Sequence, residues 1–244
     1  MCTPAKLPGR IDIKSIITWE ESQLKKLDVQ IKYGMEVTPD NDIIEFVLSE
    51  EKPDAVIIAT GSSPIRNGFQ PYTFEEIVGW DQPNVCTEVD VLEHKIQIGK
   101  KIVIGDSLGF IEAPGLAEYL ARQGKEVEIV TPHPSVGLEL RIYNHWQHLM
   151  PRLFSPGVVL TPMKWIRRIR GDSVHLYNVY DSGKEIIRNA VDNIVLITGK
   201  KQNDSLLLGF KRKISQTYLV GDANFAGARI GNAIFEGHMI ARQL

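Results

Sequence analysis

One stretch decides the fold of this chain: residues 100–131, KKIVIGDSLGFIEAPGLAEYLARQGKEVEIVT. It contains a hydrophobic run, a glycine-containing turn, a helix pattern with alanine and leucine on one face, and a second hydrophobic run. This order predicts a βαβ unit, in which two buried parallel strands are joined by a helix. In folds of this kind, glycines in the first turn let the backbone reach a dinucleotide pyrophosphate at the helix N-terminus. The predicted fold class is therefore α/β and Rossmann-like, and the turn is a candidate binding loop.

The candidate loop has an unusual sequence for a phosphate site. It reads GDSLG over residues 105–109, so a carboxylate lies where an anion would bind. In a functional interpretation, Gly105 and Gly109 accept NAD(P)H and Gly199 closes over the nicotinamide side. In a structural interpretation, the unit is a Rossmann-like domain without a nucleotide, and Asp106 repels phosphate. The sequence favours the structural interpretation but leaves both open.

Hydrophobic periodicity and turn residues predict the elements on either side of this unit. Upstream, we expect helices over 12–27 and 41–48, a strand over 29–37, a buried strand over 54–65 with a turn at Thr60-Gly61, and a connector over 69–93. Downstream, we expect a helix over 138–154, an antiparallel meander made of the runs 158–160, 165–169, 174–180 and 185–188, and a buried strand over 191–198. A strand, a turn at Gly221–Ala223 and a helix from about residue 230 end the sequence.

The composition argues against several classes of partner. With 28 basic and 30 acidic residues, the charge balance favours neither nucleic acid nor an anionic membrane. The two cysteines, Cys2 and Cys86, form neither a disulfide framework nor a metal cluster, so a cytoplasmic location is expected. The first ten residues lack the apolar core of a signal peptide, and no window approaches the roughly 18 apolar residues of a membrane span. Small molecules and other proteins are the expected partners, and no metal site is predicted.

Three segments carry a resemblance to a known family. They are PGRIDIKSIITWEESQLKKLDVQIKYG near the start, the pattern D-x-x-G-x-x-x-A-P-G-L-A-E over 106–118, and GDA followed by AIFEGHMIAR near the end. Together with ATG at 59–61, they resemble flavoproteins with two dinucleotide-binding domains. The closer similarity is to the C-terminal half of the trimethylamine dehydrogenase and 2,4-dienoyl-CoA reductase group, the NADH:flavin oxidoreductases. It covers nearly the whole chain, and the middle segment is more similar to the amine dehydrogenase branch, whose second nucleotide site is degenerate.

The resemblance implies a domain organisation and a function. The fold would be an incomplete FAD-type domain, residues 1–94 with 208–244, carrying an inserted NAD(P)-type βαβ domain with a small meander, residues 95–207. The function would be that of a pyridine nucleotide-disulfide-type flavoprotein oxidoreductase module, similar to NADH oxidases and amine dehydrogenases. It would be a subunit or remnant of an enzyme that passes electrons between FAD and NAD(P)H. Because no catalytic side chain stands out, a cofactor would carry the chemistry.

The resemblance also implies the residues that contact a flavin or ADP. FAD or ADP, as the small-molecule nucleotide, would lie against the turn of Ala59, Thr60 and Gly61 and against the turn of Gly221, Asp222 and Ala223. Asp222 would bond a ribose or ribityl hydroxyl. From the residues alone, the two glycines could equally serve as strand-end turns, and Asp222 could cap the last helix.

The family members begin this region with a strand and a GxGxxG turn that precede the segment matching Pro8–Arg10. That first βαβ unit is not in this sequence. A parallel sheet without one of its strands exposes backbone groups and apolar side chains. The resemblance therefore implies a homo-oligomer, or a partner chain that supplies the unit. The alternative function is a non-catalytic structural or interaction subunit with a degenerate Rossmann-like fold.

Overall fold

The computed structural model describes residues 4–69, 74–227 and 229–244. The chain divides into two compact units. Unit 1 consists of the described residues up to Asp28 and of Pro64–Gly199, and unit 2 consists of Val29–Ser63 and Lys200–Leu244. The boundaries expected from the sequence, 1–94 with 208–244 and 95–207, stay a prediction.

The helices and strands are named here in chain order. The helices are α1 (Ile13–Lys26), α2 (Asn41–Glu51), α3 (Glu88–Leu92), α4 (Glu112–Ala121), α5 (His145–Phe154), α6 (Leu207–Lys211) and α7 (Ile230–Ala241). Short 3-10 helices occur at Pro4–Lys6, Leu138–Tyr143 and Gly221–Ala223. The strands are β1 (Val56–Ile58), β2 (Ser62–Pro64), β3 (Val85–Cys86), β4 (Lys101–Asp106), β5 (Glu126–Val130), β6 (Val159–Thr161), β7 (Lys164–Arg170), β8 (Ser173–Asn178), β9 (Asp181–Arg188), β10 (Asn193–Ile197), β11 (Lys200–Gln202) and β12 (Thr217–Leu219).

Unit 1 is built on a five-stranded parallel sheet in the order β3-β10-β4-β5-β6. Successive side chains of a strand point to opposite faces, so β4 contributes to two cores. Ile104 packs with Leu116 of α4 and Leu153 of α5 on one face. Val103 packs with Trp165 of the antiparallel meander β7-β8-β9 on the other. The predicted βαβ unit is thus confirmed as β4-α4-β5, in a mixed α/β fold with a parallel sheet.

Two predictions for unit 1 are wrong. The run 158–160 was expected in the meander, but β6 pairs in parallel with β5 at the edge of the main sheet. Its sequence is that of a short strand, and only the crossover through α5 decides which sheet it joins. The stretch 69–93, expected to be a connector, contains β3 and α3 within its described part. Helix α3 begins with a capping box, in which Thr87 and Asp90 exchange side chain to backbone hydrogen bonds.

Unit 2 contains the parallel pair β1-β12 and the pair β2-β11. Its small core is formed by Ile44, Ile58, Leu206 and Phe210. The strand expected over 29–37 is wrong, because these residues form no strand and the apolar side chains of Val29, Ile31, Tyr33 and Met35 are exposed. Alternating apolar residues form a strand only when a neighbouring strand accepts their backbone hydrogen bonds, and among the described residues no strand pairs with this segment.

Helix α7 confirms the predicted terminal helix, although none of its residues, Ile230–Ala241, is buried. Its apolar side chains Ile230, Ile234 and Phe235 are 40%, 44% and 65% exposed. Within the described part of the chain, these side chains form an apolar stripe that no other residue buries. In the described part of the chain, no helix combines the length and apolar character needed to cross a membrane.

Candidate functional site

The candidate site in unit 2 lies where two parallel strands end. β1 and β12 are paired from Val56↔Thr217 to Ile58↔Leu219, and the Val220 amide donates to the Ile58 carbonyl at 3.0 Å. Parallel strands end at the same edge of a sheet, which is where α/β folds bind ligands. The structure thus brings the turn of Ala59–Gly61 and the turn of Gly221–Ala223 to one edge.

Asp222 is linked to the neighbouring turn by a serine that sequence reasoning did not assign. The Ser62 hydroxyl donates to Asp222 Oδ2 at 2.6 Å. Ser62 follows Gly61 directly, as part of ATGSS, and this adjacency was the signal that could have found it. The hydrogen bond holds the carboxylate of Asp222 beside the end of β1.

A second residue missed from the sequence, Asn203, fixes the turn after β1. Its side chain donates to the Thr60 carbonyl at 3.2 Å and accepts from the Ser63 hydroxyl at 2.9 Å. Its backbone accepts from the Thr60 hydroxyl and donates to the Gly61 carbonyl. Four contacts from one residue hold the turn in a single conformation.

The two glycines of this edge have different surroundings. Gly221 has φ +62°, and a Cβ there would lie 3.1 Å from the Cβ of Ala233, so glycine allows both the turn and the approach of α7. Its amide donates to Glu236 Oε2 at 2.7 Å. Gly61 has φ +75° and no atom within 4 Å of the Cβ position. The outer side of the Gly61 turn is therefore open to a close approach by a ligand.

In unit 1, Asp106 fills the candidate loop. It is 1% exposed, and its Oδ1 accepts from the amides of Leu108 and Gly109, both at 3.0 Å. Burial raises the pKa of this carboxyl to about 7, against the opposing effect of the two amides, and the charge of Glu112 raises it further. Asp106 Oδ2 is also buried, and it makes no hydrogen bond to any described residue.

The three glycines of the predicted NAD(P)H site have packing or turn roles. A Cβ at Gly105 would lie 2.9 Å from Ile166 Cδ1, on the face of the sheet that the meander covers. Gly109 has φ +71°, which the turn before α4 requires. The carbonyl of Gly199 accepts from the amide of Ile65 at 2.9 Å, and the Ile65 side chain lies 3.0 Å from the Cβ position of Gly199.

Helix α4 carries an ion cluster around a buried glutamate, which sequence reasoning also missed. Glu118, the last residue of the A-P-G-L-A-E pattern, is 0% exposed. Arg152 binds it through Nε at 3.0 Å and Nη2 at 2.6 Å, and Arg122 binds it at 2.6 Å. Arg152 also donates to the Pro8 carbonyl at 2.8 Å. The cluster ties α4, α5 and the N-terminal segment together, which explains this glutamate structurally.

Comparisons with known proteins agree with this architecture. Residues 86–200 match the family model described as the OYE-like second alpha/beta domain. Dimethylamine dehydrogenase from Hyphomicrobium sp. (strain x) is 26% identical over 271 residues, which cover 98% of this chain and 36% of that protein. Cinnamate reductase from Clostridium sporogenes is 30% identical over 237 residues, which cover 96% of this chain and 32% of that protein. The chain thus spans about a third of the length of these relatives.

A solved structure shows the same fold. The 6-hydroxypseudooxynicotine amine oxidase from Pseudomonas geniculata N1 superposes with a TM-score of 0.88 at 23% identity, covering 98% of this chain and 35% of that chain. Both curated relatives are oxidoreductases by name, as the resemblance in the sequence predicts. Residues 86–200 are thus similar to the OYE-like second alpha/beta domain, and the chain as a whole is similar to about a third of the length of these oxidoreductases.

Proposed function

We propose that this chain is a module of a flavoprotein oxidoreductase and that FAD or ADP contacts the edge of unit 2. The observation that carries the proposal is the carboxylate of Asp222, which Ser62 holds between the turns that follow β1 and β12. Relatives named as a dehydrogenase and a reductase support the oxidoreductase class. The bound flavin would supply the redox chemistry, and the residues of this chain would bind and orient it.

The residues at this edge fit the hydroxyl-bearing part of such a ligand. An ionised carboxylate only accepts hydrogen bonds, so Asp222 can take a ribose or ribityl hydroxyl while Ser62 occupies its Oδ2. The backbone of Ala59, Thr60 and Gly61 can approach closely, because the outer side of Gly61 is open. Asn203 would keep that backbone in place when the ligand binds.

The residues predicted for NAD(P)H do not fit a dinucleotide phosphate. The amides of Leu108 and Gly109, which would have to face the phosphate, are both bonded to Asp106. In this proposal, NADH does not bind at the loop between β4 and α4. If it is the electron donor, it binds elsewhere in a complete assembly.

Replacing Asp222 with asparagine is expected to weaken flavin binding about tenfold or more, because an amide nitrogen at Oδ2 would disrupt the bond from Ser62 and the loss of charge weakens hydroxyl binding. The test is a visible absorbance spectrum, with mass spectrometry of released ligands, on protein purified under non-denaturing conditions with its co-purifying chains. A fluorescence titration with FAD then gives the dissociation constants of the variants.

Asp54→Asn is the matched control, since Asp54 is exposed and precedes β1 at the end opposite to Thr60. It makes the same charge change and should leave FAD binding unaltered. The absence of flavin and ADP from the native protein, together with no FAD binding on titration, would rule out the proposed function.

We also propose that another polypeptide, either a second copy of this chain or a partner chain carrying a βαβ unit, covers the apolar surface of unit 2. In the part of the chain that the structure describes, β1 and β12 form a sheet of two strands, and parallel strands are stable when neighbours and covering helices bury them. Ile57 of β1 is 44% exposed and Phe235 of α7 is 65% exposed. An apolar stripe of this kind marks an interaction surface.

The substitution Phe235→Asp is therefore expected to weaken the association at least about tenfold, since it would bury a charge in an apolar contact. Light scattering of the native protein at several concentrations measures the effect. Tyr180→Asp is a control, because Tyr180 is 79% exposed on the meander of unit 1. A wild-type protein that stays monomeric and binds no co-purifying chain contradicts this proposal.

A further inference from the structure

The loop between β4 and α4 lies where dinucleotide-binding folds bind phosphate, but its amides are already bonded to a carboxyl group. In dinucleotide-binding folds, backbone amides between the first strand and its helix face the pyrophosphate. Here, the corresponding amides of Leu108 and Gly109 donate to Asp106 Oδ1, both at 3.0 Å. A phosphate could take these amides only by displacing a carboxylate that is 1% exposed.

We propose that Asp106 is the specificity-determining residue that excludes nucleotide phosphates from unit 1, because its buried carboxyl group occupies the loop and accepts the two amides that a phosphate would need. The fold of unit 1 is of a nucleotide-binding type, but its loop is occupied by a side chain of the protein itself. This loop lies in unit 1, and its occupation is independent of the flavin site proposed for the edge of unit 2.

Electrostatics strengthen the exclusion. Displacing Asp106 would leave a buried carboxylate without the two donors that stabilise its charge, which costs far more than losing the same bonds in water. A second carboxylate, Glu112, lies in the first turn of α4, where the helix would otherwise favour an anion. Its Oε2 is buried without a hydrogen bond to a described residue. An incoming phosphate would therefore meet a carboxyl group on each side of the turn.

The side chains that pack against the other two glycines predicted to contact NAD(P)H do not bond to the amides of the loop. Ile166 packs over Gly105 from the meander face, and Ile65 packs against Gly199. Both are apolar contacts beside the loop, and each explains a glycine without a ligand. Of the described residues, Asp106 alone is bonded to the Leu108 and Gly109 amides, so the exclusion is expected to depend on this one residue.

The test uses inorganic pyrophosphate as the probe and NADH as the second ligand. Asp106→Ser and Asp106→Gly remove the carboxylate and free the amides of Leu108 and Gly109. In both variants, addition of pyrophosphate or NADH should shift the amide NMR signals of Leu108 and Gly109. Calorimetry should show that the variants bind pyrophosphate at least about tenfold more tightly than wild type does. The wild-type protein should show neither effect.

Asp192→Ser is the matched control. Asp192 also accepts two backbone amides, those of Lys100 and Lys101, but at the opposite end of β4. This variant makes the same change of charge and should bind pyrophosphate no better than wild type. Circular dichroism and the amide NMR spectrum identify which variants are folded. If Asp106→Ser does not fold, Asp106→Gly is used in its place.

Two results would overturn the inference. One is a wild-type protein whose Leu108 and Gly109 signals shift when pyrophosphate or NADH is added. The other is a folded Asp106 variant that binds these probes no better than wild type or the Asp192 control. Neither result bears on flavin binding at Asp222, so the two proposals can fail separately.

Discussion

Replacing Asp106 with asparagine is expected to stabilise the protein above pH 7 while leaving its stability in acid nearly unchanged. The asparagine oxygen can accept the same two amides, from Leu108 and Gly109, but the side chain never ionises. In the wild-type protein, the folded state must either keep a proton on Asp106 or bury a charge. The variant removes this conflict.

The sign follows from the pKa of Asp106, which burial raises from 3.8 to about 7 in the folded protein. Between these values, the folded state holds a proton that the unfolded state has released, so stability falls as the pH rises. The stability that the protonated carboxyl allows is fully present below the pKa of the unfolded state and is lost once the pH passes the pKa of the folded state. At 1.36 kcal/mol for each pKa unit, the free energy of unfolding falls by about 4 kcal/mol by pH 8, and Asp106→Asn should recover much of this loss.

The measurement is urea unfolding of wild type and Asp106→Asn at a series of pH values between acid and pH 8. Asp192→Asn is an instructive control because its expected sign is opposite. The amides of Lys101 and Lys100 lower the pKa of Asp192, so its stabilising effect is present at neutral pH and disappears in acid. Parallel stability curves for wild type and Asp106→Asn would contradict the expectation.

Replacing Glu118 with alanine is expected to destabilise the protein by about 3 kcal/mol. The change removes a fully buried carboxylate and leaves the guanidinium of Arg152 without the two hydrogen bonds that it makes to Glu118. Arg152 would still be bound to the Pro8 carbonyl, so it could not leave the site freely. The N-terminal segment is expected to loosen at the same time, because the arginine that binds the Pro8 carbonyl would no longer be held by Glu118.

Urea unfolding measures the loss, and a double-mutant cycle separates the pair from its surroundings. Glu118→Leu combined with Arg152→Leu should recover part of the stability, because the half-buried guanidinium of Arg152 is no longer left without its carboxylate. Glu126→Ala is the control, since its pair with Lys100 is 60% and 73% exposed and should contribute less than about 1 kcal/mol. A loss for Glu118→Ala as small as the control's would contradict the structural role of the cluster.

The local pattern of the sequence was sufficient for the elements that depend on neighbouring residues. Two hydrophobic runs around a glycine turn and a helix predict β4-α4-β5, because strand and helix periods are read within a few residues. The same holds for β10, α2 and α7. The strand over 29–37 failed because alternation describes only one partner of a sheet, and the second partner is a property of the tertiary structure.

The site shows the same division. Sequence alone placed glycines and Asp222 at the ends of β1 and β12, because parallel strands end at one edge. It did not reveal Ser62 and Asn203 as their partners, since Asn203 is more than 140 residues from Thr60. It recognised Asp106 as unfavourable for phosphate, but only the tertiary structure showed the carboxylate buried and bonded to two amides. Burial and hydrogen-bond partners come from packing between distant segments, and these decide whether a carboxylate is charged, fixed or available to a ligand.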